Sequence, residues 1–152
     1  MIEIGEDDLG GEQTRALLAL HLKGMNANSP PDAVFALDLS GLQAPGITVW
    51  SAWDGGAIAG IGALKRLGGG QAEIKSMRTH PDHLRKGVAQ RLLRHIIAQA
   101  QAEGIVRLSL ETGSGPAFDP ALALYRAHGF VDGPAFGDYR PSAFNQFLHR
   151  DL

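Results

Sequence analysis

The chain contains no cysteine. Disulfides, thiolate metal centres and a cysteine nucleophile are therefore excluded, although the absence assigns no compartment. Nor is there an excess of charge of one sign: 14 Lys and Arg against 16 Asp and Glu leave a formal net charge of −2, which makes no electrostatic case for nucleic acid or an anionic membrane. No apolar run approaches membrane-spanning length. Residues 1–11 carry Glu3, Glu6, Asp7 and Asp8 where a secretory leader would carry basic residues and an apolar core. A cytoplasmic protein is expected, with no membrane and no nucleic acid among its partners.

The 152 residues, 44% of them hydrophobic, are enough to fill one core, so residues 1–152 are read as a single domain. Its most informative stretch is Glu73 to Gln101. Residues 73–79 alternate as a strand, with Ile74 on one face and Glu73, Lys75 and Met77 on the other; the alternation is imperfect enough to admit a bulge. Beyond Gly87, apolar residues recur at Val88, Leu92, Leu93, Ile96, Ile97 and Ala100, the stripe of a helix packed on a sheet, and Gly104 closes it. The loop between, Leu84-Arg85-Lys86-Gly87-Val88-Ala89, aims unpaired amides at one small space at a helix N-terminus. That is an anion site, suited to a pyrophosphate, with Arg85 and Lys86 adding charge at the rim. A Walker loop is excluded because Val88 and Ala89 follow Gly87. A dinucleotide fingerprint is excluded by the residues between strand and glycine, Pro81 among them.

The run Met77 to Leu93, M-R-T-H-P-D-H-L-R-K-G-V-A-Q-R-L-L, resembles motif A of the GNAT superfamily, the acyl-CoA-dependent N-acyltransferases, with its signature [QR]-x-x-G-x-[GA]. Gly87 and Ala89 fill the last two places, and Leu84 stands where Gln or Arg is usual. Ala121 to Phe130, A-L-A-L-Y-R-A-H-G-F, resembles the family's second signature, A-x-x-L-Y-x-x-x-G-F; Phe118 stands where many members carry an asparagine that touches the cofactor. The resemblance implies an α/β fold of the α+β type: a mixed, mostly antiparallel sheet of six to seven strands flanked by about four helices, its two central parallel strands splayed around the cofactor.

The rest of the chain fits that outline. Residues 1–5 read as a strand and residues 12–25 as a helix carrying Leu17, Leu18, Leu20 and Leu22. Ser29-Pro30-Pro31-Asp32 has the form of a second helix start, with Val34, Phe35 and Leu37 on its apolar side. Residues 47–53 and 57–64 flank the hairpin signal Asp54-Gly55-Gly56, and Gly68-Gly69-Gly70 leads into the strand at Glu73. Residues 106–111 alternate, with Val106, Leu108 and Leu110 inward, and follow a helix, so this strand is expected parallel to that of Ile74. Asp119-Pro120 starts a helix, as cap and first residue, that ends at Gly129. Residues 136–139 and 143–148 are expected to be the last strands.

The resemblance implies transfer of an acetyl group from acetyl-CoA to a primary amine. Glu73, fourteen residues before Gly87 where members that use a strand glutamate place it, is the first choice as general base; a strand-edge glutamate paired with Lys75 or Lys65 is its structural alternative. Glu111 and His21 are the runners-up, and Tyr125 matches the family's general acid. Cofactor contacts are expected from Met77, Arg78, Thr79, Leu84, Arg85, Lys86, Gly87, Val88, Ala89 and Gln90. No metal is expected, although His80 and His83 flank Asp82 with a ligand-like gap. The acceptor is expected to be a small-molecule amine, with residues 25–31 and 137–141 bordering its pocket and Arg140 as a carboxylate clamp. A protein amine and a non-catalytic acyl-CoA-binding module are the alternatives, and a homodimer is left open.

Overall fold

The computed structural model describes all 152 residues. Seven strands form one sheet in the order β1-β2-β3-β4-β5-β7-β6. They are β1 (Ile2–Glu6), β2 (Ile47–Asp54), β3 (Ala57–Gly68), β4 (Gln71–Thr79), β5 (Arg107–Thr112), β6 (Val131–Asp132) and β7 (Gln146–Asp151). Four helices accompany them: α1 (Glu12–Asn28), α2 (Leu39–Leu42), α3 (Val88–Ala102) and α4 (Asp119–Ala127). Every neighbouring pair is antiparallel except β4 and β5, which a helix crossover joins and which are therefore free to run parallel.

Two apolar layers cover the sheet. On one face α3 buries Val88, Leu92, Leu93, Ile96, Ile97 and Ala100, the six positions read from periodicity, against Trp50, Leu64, Ile74 and Leu108, and α4 adds Leu122 and Tyr125. On the other, Leu17 and Leu18 of α1 meet Leu42, Val49, Ile61 and Ala63. Leu20, expected within the α1 stripe, is exposed; Thr14 and His21 complete the buried row at i, i+3, i+4 and i+7. Helix α3 ends as expected, with Gly104 at φ 79° and Ile105 N–H reaching back to Ala100 O at 3.0 Å.

A bulge in β4 decides where the side chains of this strand point. Ser76 is left-handed, at φ 58°, and Gly62 of β3 lies opposite both Ser76 and Met77. A serine there costs about 1–2 kcal/mol of backbone strain, so the surrounding sheet must impose it. The extra residue inverts the alternation. Lys75 and Arg78 lie opposite Ala63 and Ile61, on the α1 face, whereas Met77 packs with Ile96 of α3. The expectation that Met77 shares a face with Glu73 is corrected for this reason.

Four other sequence expectations change. The segment opened by Pro30 and Pro31 makes a single 3-10 turn, Pro31–Ala33, rather than a helix, because a residue before proline is driven into extended backbone: Pro30 has ψ 147°. The next helix, α2, is capped by Asp38, whose carboxylate accepts from Gly41 N–H at 2.8 Å. Residues 136–139 form a turn closed by Tyr139 N–H on Phe136 O at 3.1 Å, with Gly137 at φ 56°, and the strand before β7 is the two-residue β6. Val106 is 58% exposed because β5 begins one residue later. Phe118, not Asp119, is the N-cap residue of α4.

The close approach of β3 and α3 depends on glycine. A Cβ at Gly62 would lie 2.6 Å from Met77 Sδ and 2.9 Å from Ile96 Cδ1. Gly62→Ala is expected to lower the free energy of urea unfolding by about 1–3 kcal/mol; a variant as stable as the parent would contradict this packing.

Candidate active site

Strands β4 and β5 share only three residue pairs, Gln71 to Glu73 with Arg107 to Ser109, and then part. Past Glu73 the β4 edge toward β5 has no strand partner, and a cavity of about 710 Å³ opens there. Its walls are β4, the loop before α3, the end of β5, the start of α4 and the inner side of α1.

One end is built from backbone. Arg85 and Gly87 are both left-handed, at φ 62° and 75°, and the first bond within α3 runs from Arg91 N–H to Gly87 O at 3.1 Å. The amides of Gly87, Val88, Ala89 and Gln90 have no acceptor within the protein. Together with the helix dipole they form a positive concavity for an anion. A Cβ at Gly87 would meet nothing within 4 Å, so a ligand can approach the chain closely. Ser76 Oγ, buried at the bulge on the cavity wall, is likewise unpartnered. These groups fit a phosphorylated ligand with hydrogen-bonding amides along its arm. Of the loop residues expected to hold it, all but Lys86 line the cavity.

The other end is built from side chains on the α1 face. Glu73, only 3% exposed, accepts on Oε2 from the Tyr139 hydroxyl at 2.5 Å and from Lys75 Nζ at 3.2 Å, and Lys75 Nζ also donates to the Tyr139 oxygen at 2.8 Å. Both bonds to the carboxylate fall on one oxygen, which leaves Oε1 for a ligand. Burial, then the charge of Glu73, drives the Tyr139 phenol far above its ordinary range, so it remains a donor. Phe35 and Phe136 set their rings edge-on to Tyr139, at 5.2 and 5.1 Å between centroids. Glu111, on β5, is raised by burial against the opposing hydrogen bond from Asn145 Nδ2 at 2.5 Å. Tyr125 enters from the opposite face: buried on α4, it lines the cavity, and desolvation pushes its phenol well up, so it stays protonated through the neutral range.

Residues 15–130 match the acetyltransferase (GNAT) family. The chain is 49% identical to the uncharacterized N-acetyltransferase YsnE of Bacillus subtilis (strain 168) over 96% of this chain and 97% of that one. It is 47% identical to the uncharacterized N-acetyltransferase YedL of Escherichia coli (strain K12) over 100% and 96%. The crystal structure of a candidate acyl-CoA N-acyltransferase from Klebsiella pneumoniae subsp. pneumoniae MGH 78578 superposes with a TM-score of 0.84 at 26% identity, covering 100% of this chain and 98% of that one. The chain belongs to the GNAT acetyltransferase family. It is an acyltransferase of that fold.

Within this acetyltransferase, Glu73, Tyr125, Met77, Thr79 and the α3 loop surround one cavity. The pairing of Glu73 with Lys75 that sequence offered as the structural alternative is present too, and it does not remove Glu73 from the cavity wall. Tyr139 was not foreseen as the partner of Glu73; its place in a loop expected to border the pocket was the available signal. Arg78, expected among the cofactor contacts, is turned to α1, where its Nε donates to His21 Nδ1 at 3.0 Å. Arg140 is exposed and does not line the cavity. His80 Nδ1 lies 3.9 Å from Asp82 Oδ2 and His83 Nδ1 lies 3.9 Å from Asp54 Oδ2, and no group of three or more His, Asp or Glu is placed to hold a metal. No helix is long and apolar enough to cross a membrane.

His21 is a packed, neutral base. Burial first, and Arg78 second, push its pKa down to about 4 from the ordinary 6.5. The unfolded chain therefore binds the extra proton between these two values, so stability is full above pH 6.5 and declines as the pH falls toward 4, by about 3 kcal/mol in all. Urea unfolding from pH 4 to 7 is expected to show this slope in the parent and a flatter one in His21→Gln. Equal slopes would contradict the neutral histidine.

Proposed function

We propose that this enzyme moves the acetyl group of acetyl-CoA to a primary amine of a small molecule by direct attack, with Glu73 as general base and Tyr125 as general acid. Acetyl-CoA, as bound donor, supplies an acyl group on a sulfur that leaves as a thiol. The amides of Gly87, Val88, Ala89 and Gln90 take its pyrophosphate, with Leu84, Arg85 and Lys86 at the rim and main-chain groups of Met77 and Thr79 along the arm.

The observation that carries this reading is that Glu73 and Tyr125 face one cavity from opposite sides of the parted strands. An alkylamine with a pKa of about 10 is nearly all protonated at neutral pH and cannot attack until it loses a proton. Glu73 Oε1, directly or through water, accepts that proton, while Tyr139 and Lys75 hold the carboxylate in place through Oε2. As the nitrogen–carbon bond forms and the carbon–sulfur bond breaks, Tyr125 Oη delivers a proton where the sulfur departs. Asn28 of α1 and the loop residues Phe35 and Ala36 help wall the acceptor half, which supports a small molecule over an extended protein segment.

Glu73→Gln is expected to lower kcat/KM for an amine acceptor by about 100- to 10,000-fold at pH 7, with the deficit shrinking near pH 10, where the amine sheds its proton unaided. A thermal melt controls for the stranded Lys75. Tyr125→Phe is expected to lower kcat with acetyl-CoA affinity kept. A Glu73→Gln enzyme as fast as the parent at both pH values, or a Tyr125→Phe enzyme that loses affinity but not turnover, would sink these roles.

A further inference from the structure

The acceptor half of the cavity contains a guanidinium without a counter-charge. Arg78 is half-buried and lines the cavity on the α1 face. Its Nε donates to His21 Nδ1 at 3.0 Å and its Nη2 reaches the His21 carbonyl at 3.4 Å. Both acceptors are uncharged, since His21 Nδ1 must present a lone pair to receive Nε. None of the chain's ion pairs includes Arg78, whereas the other charges nearby are accounted for: Lys75 by Glu73, and Glu111 by the Asn145 amide.

The geometry of that residue selects its ligand. With Nε tied to α1, both hydrogens of Nη1 and the second hydrogen of Nη2 remain, which is the forked pair of parallel donors that matches a carboxylate. Helix α1 makes room for the fork. A Cβ at Gly24 would stand 2.9 Å from Arg78 Nη2, and a glycine inside a helix is otherwise unfavourable. The cofactor's phosphates are not the natural partner, because Arg78 is turned to the α1 face while its neighbour Met77 faces α3. Past the bulge, Arg78 shares a face with Glu73 and Lys75, so the fork and the proposed base belong to the same half of the cavity.

We propose that Arg78 receives a carboxylate of the acceptor, so that the amine acetylated by this enzyme sits on the same small molecule as an anionic carboxylate, as in an amino acid. This rests on the acetyl transfer proposed above. His21 is then a positioning residue for Arg78, and Gly24 a spacer.

The test compares standard amino acids with their matched carboxamides as acceptors, by thiol release at saturating acetyl-CoA. The unmutated enzyme is expected to favour the best acid over its amide by about 50-fold in kcat/KM, the size of a charged, forked hydrogen-bond pair. That ratio is expected to fall to near one in Arg78→Gln, and partway in Gly24→Ala, which retains the guanidinium but displaces it. A wild-type ratio near one overturns the proposal without any variant. So does an Arg78→Gln enzyme whose KM for acetyl-CoA rises while the ratio stays, which would make Arg78 a cofactor residue, or a preference for aminoalkylphosphonates over the matched acids. A parallel arm titrates the same acids and amides calorimetrically into CoA-saturated protein. Acid-selective binding that vanishes in Arg78→Gln, without turnover of any amine, would uphold the carboxylate site while removing the acetyl-transfer reading; turnover without acid selectivity does the reverse.

Discussion

The parting of β4 from β5 is the constraint on which the rest of this structure depends. Two parallel strands buried between helices would ordinarily pair along their whole length, since an unbonded main-chain group inside a protein is costly. Here they pair for three residues and separate, leaving the far half of β4 bonded on one side only. The gap is held open by the packing of its two banks, α3 with Ile96 and Leu92 under β3 and β4, and α4 with Leu122 and Tyr125 beyond β5. The cleft is therefore a property of the core, and the polar edge it exposes is what an amide-bearing ligand can satisfy.

The bulge at Ser76 divides the labour between the two faces of the sheet. By inserting one left-handed residue it sends Met77 to the α3 side and Arg78 to the α1 side, where Glu73 and Lys75 already point. All the ionised groups of the cleft other than those of the loop before α3 thus gather on the α1 face. The opposite bank presents apolar side chains and a phenol kept neutral by burial. Helix α3 offers positive potential at its N-terminus through unpaired amides, with Arg85 beside them on the cavity wall.

Much of this was legible in the sequence, and the parts that were share a cause. The α3 stripe, the Asp54-Gly55-Gly56 hairpin and the glycine endings at Gly104 and Gly129 are local signals, set by periodicity or by a backbone angle that one residue type tolerates best. The pieces that were not legible depend on contacts distant in sequence. Residues 136–139 look like a strand because they are aromatic, but those rings pack on Phe35, Phe147 and His149 as a turn. The side of β4 to which Met77 and Arg78 turn hangs on a bulge that alternation only hinted at. Tyr139, 66 residues from Glu73, could be found as its partner only once the chain was folded. Pro30-Pro31 resembled a helix start because each proline suits one, while the pair together favours extended chain.

The central claim, that the glycine-bearing turn ahead of α3 and the parted edge of β4 together hold coenzyme A, is most directly tested by backbone ¹⁵N–¹H resonances followed through a titration with coenzyme A. The account predicts saturable shifts concentrated at Gly87, Val88, Ala89 and Gln90 and at Ser76 to Thr79, with the sheet's outer strands unmoved. Saturable binding that leaves those amides unshifted, or no binding at all, would contradict it.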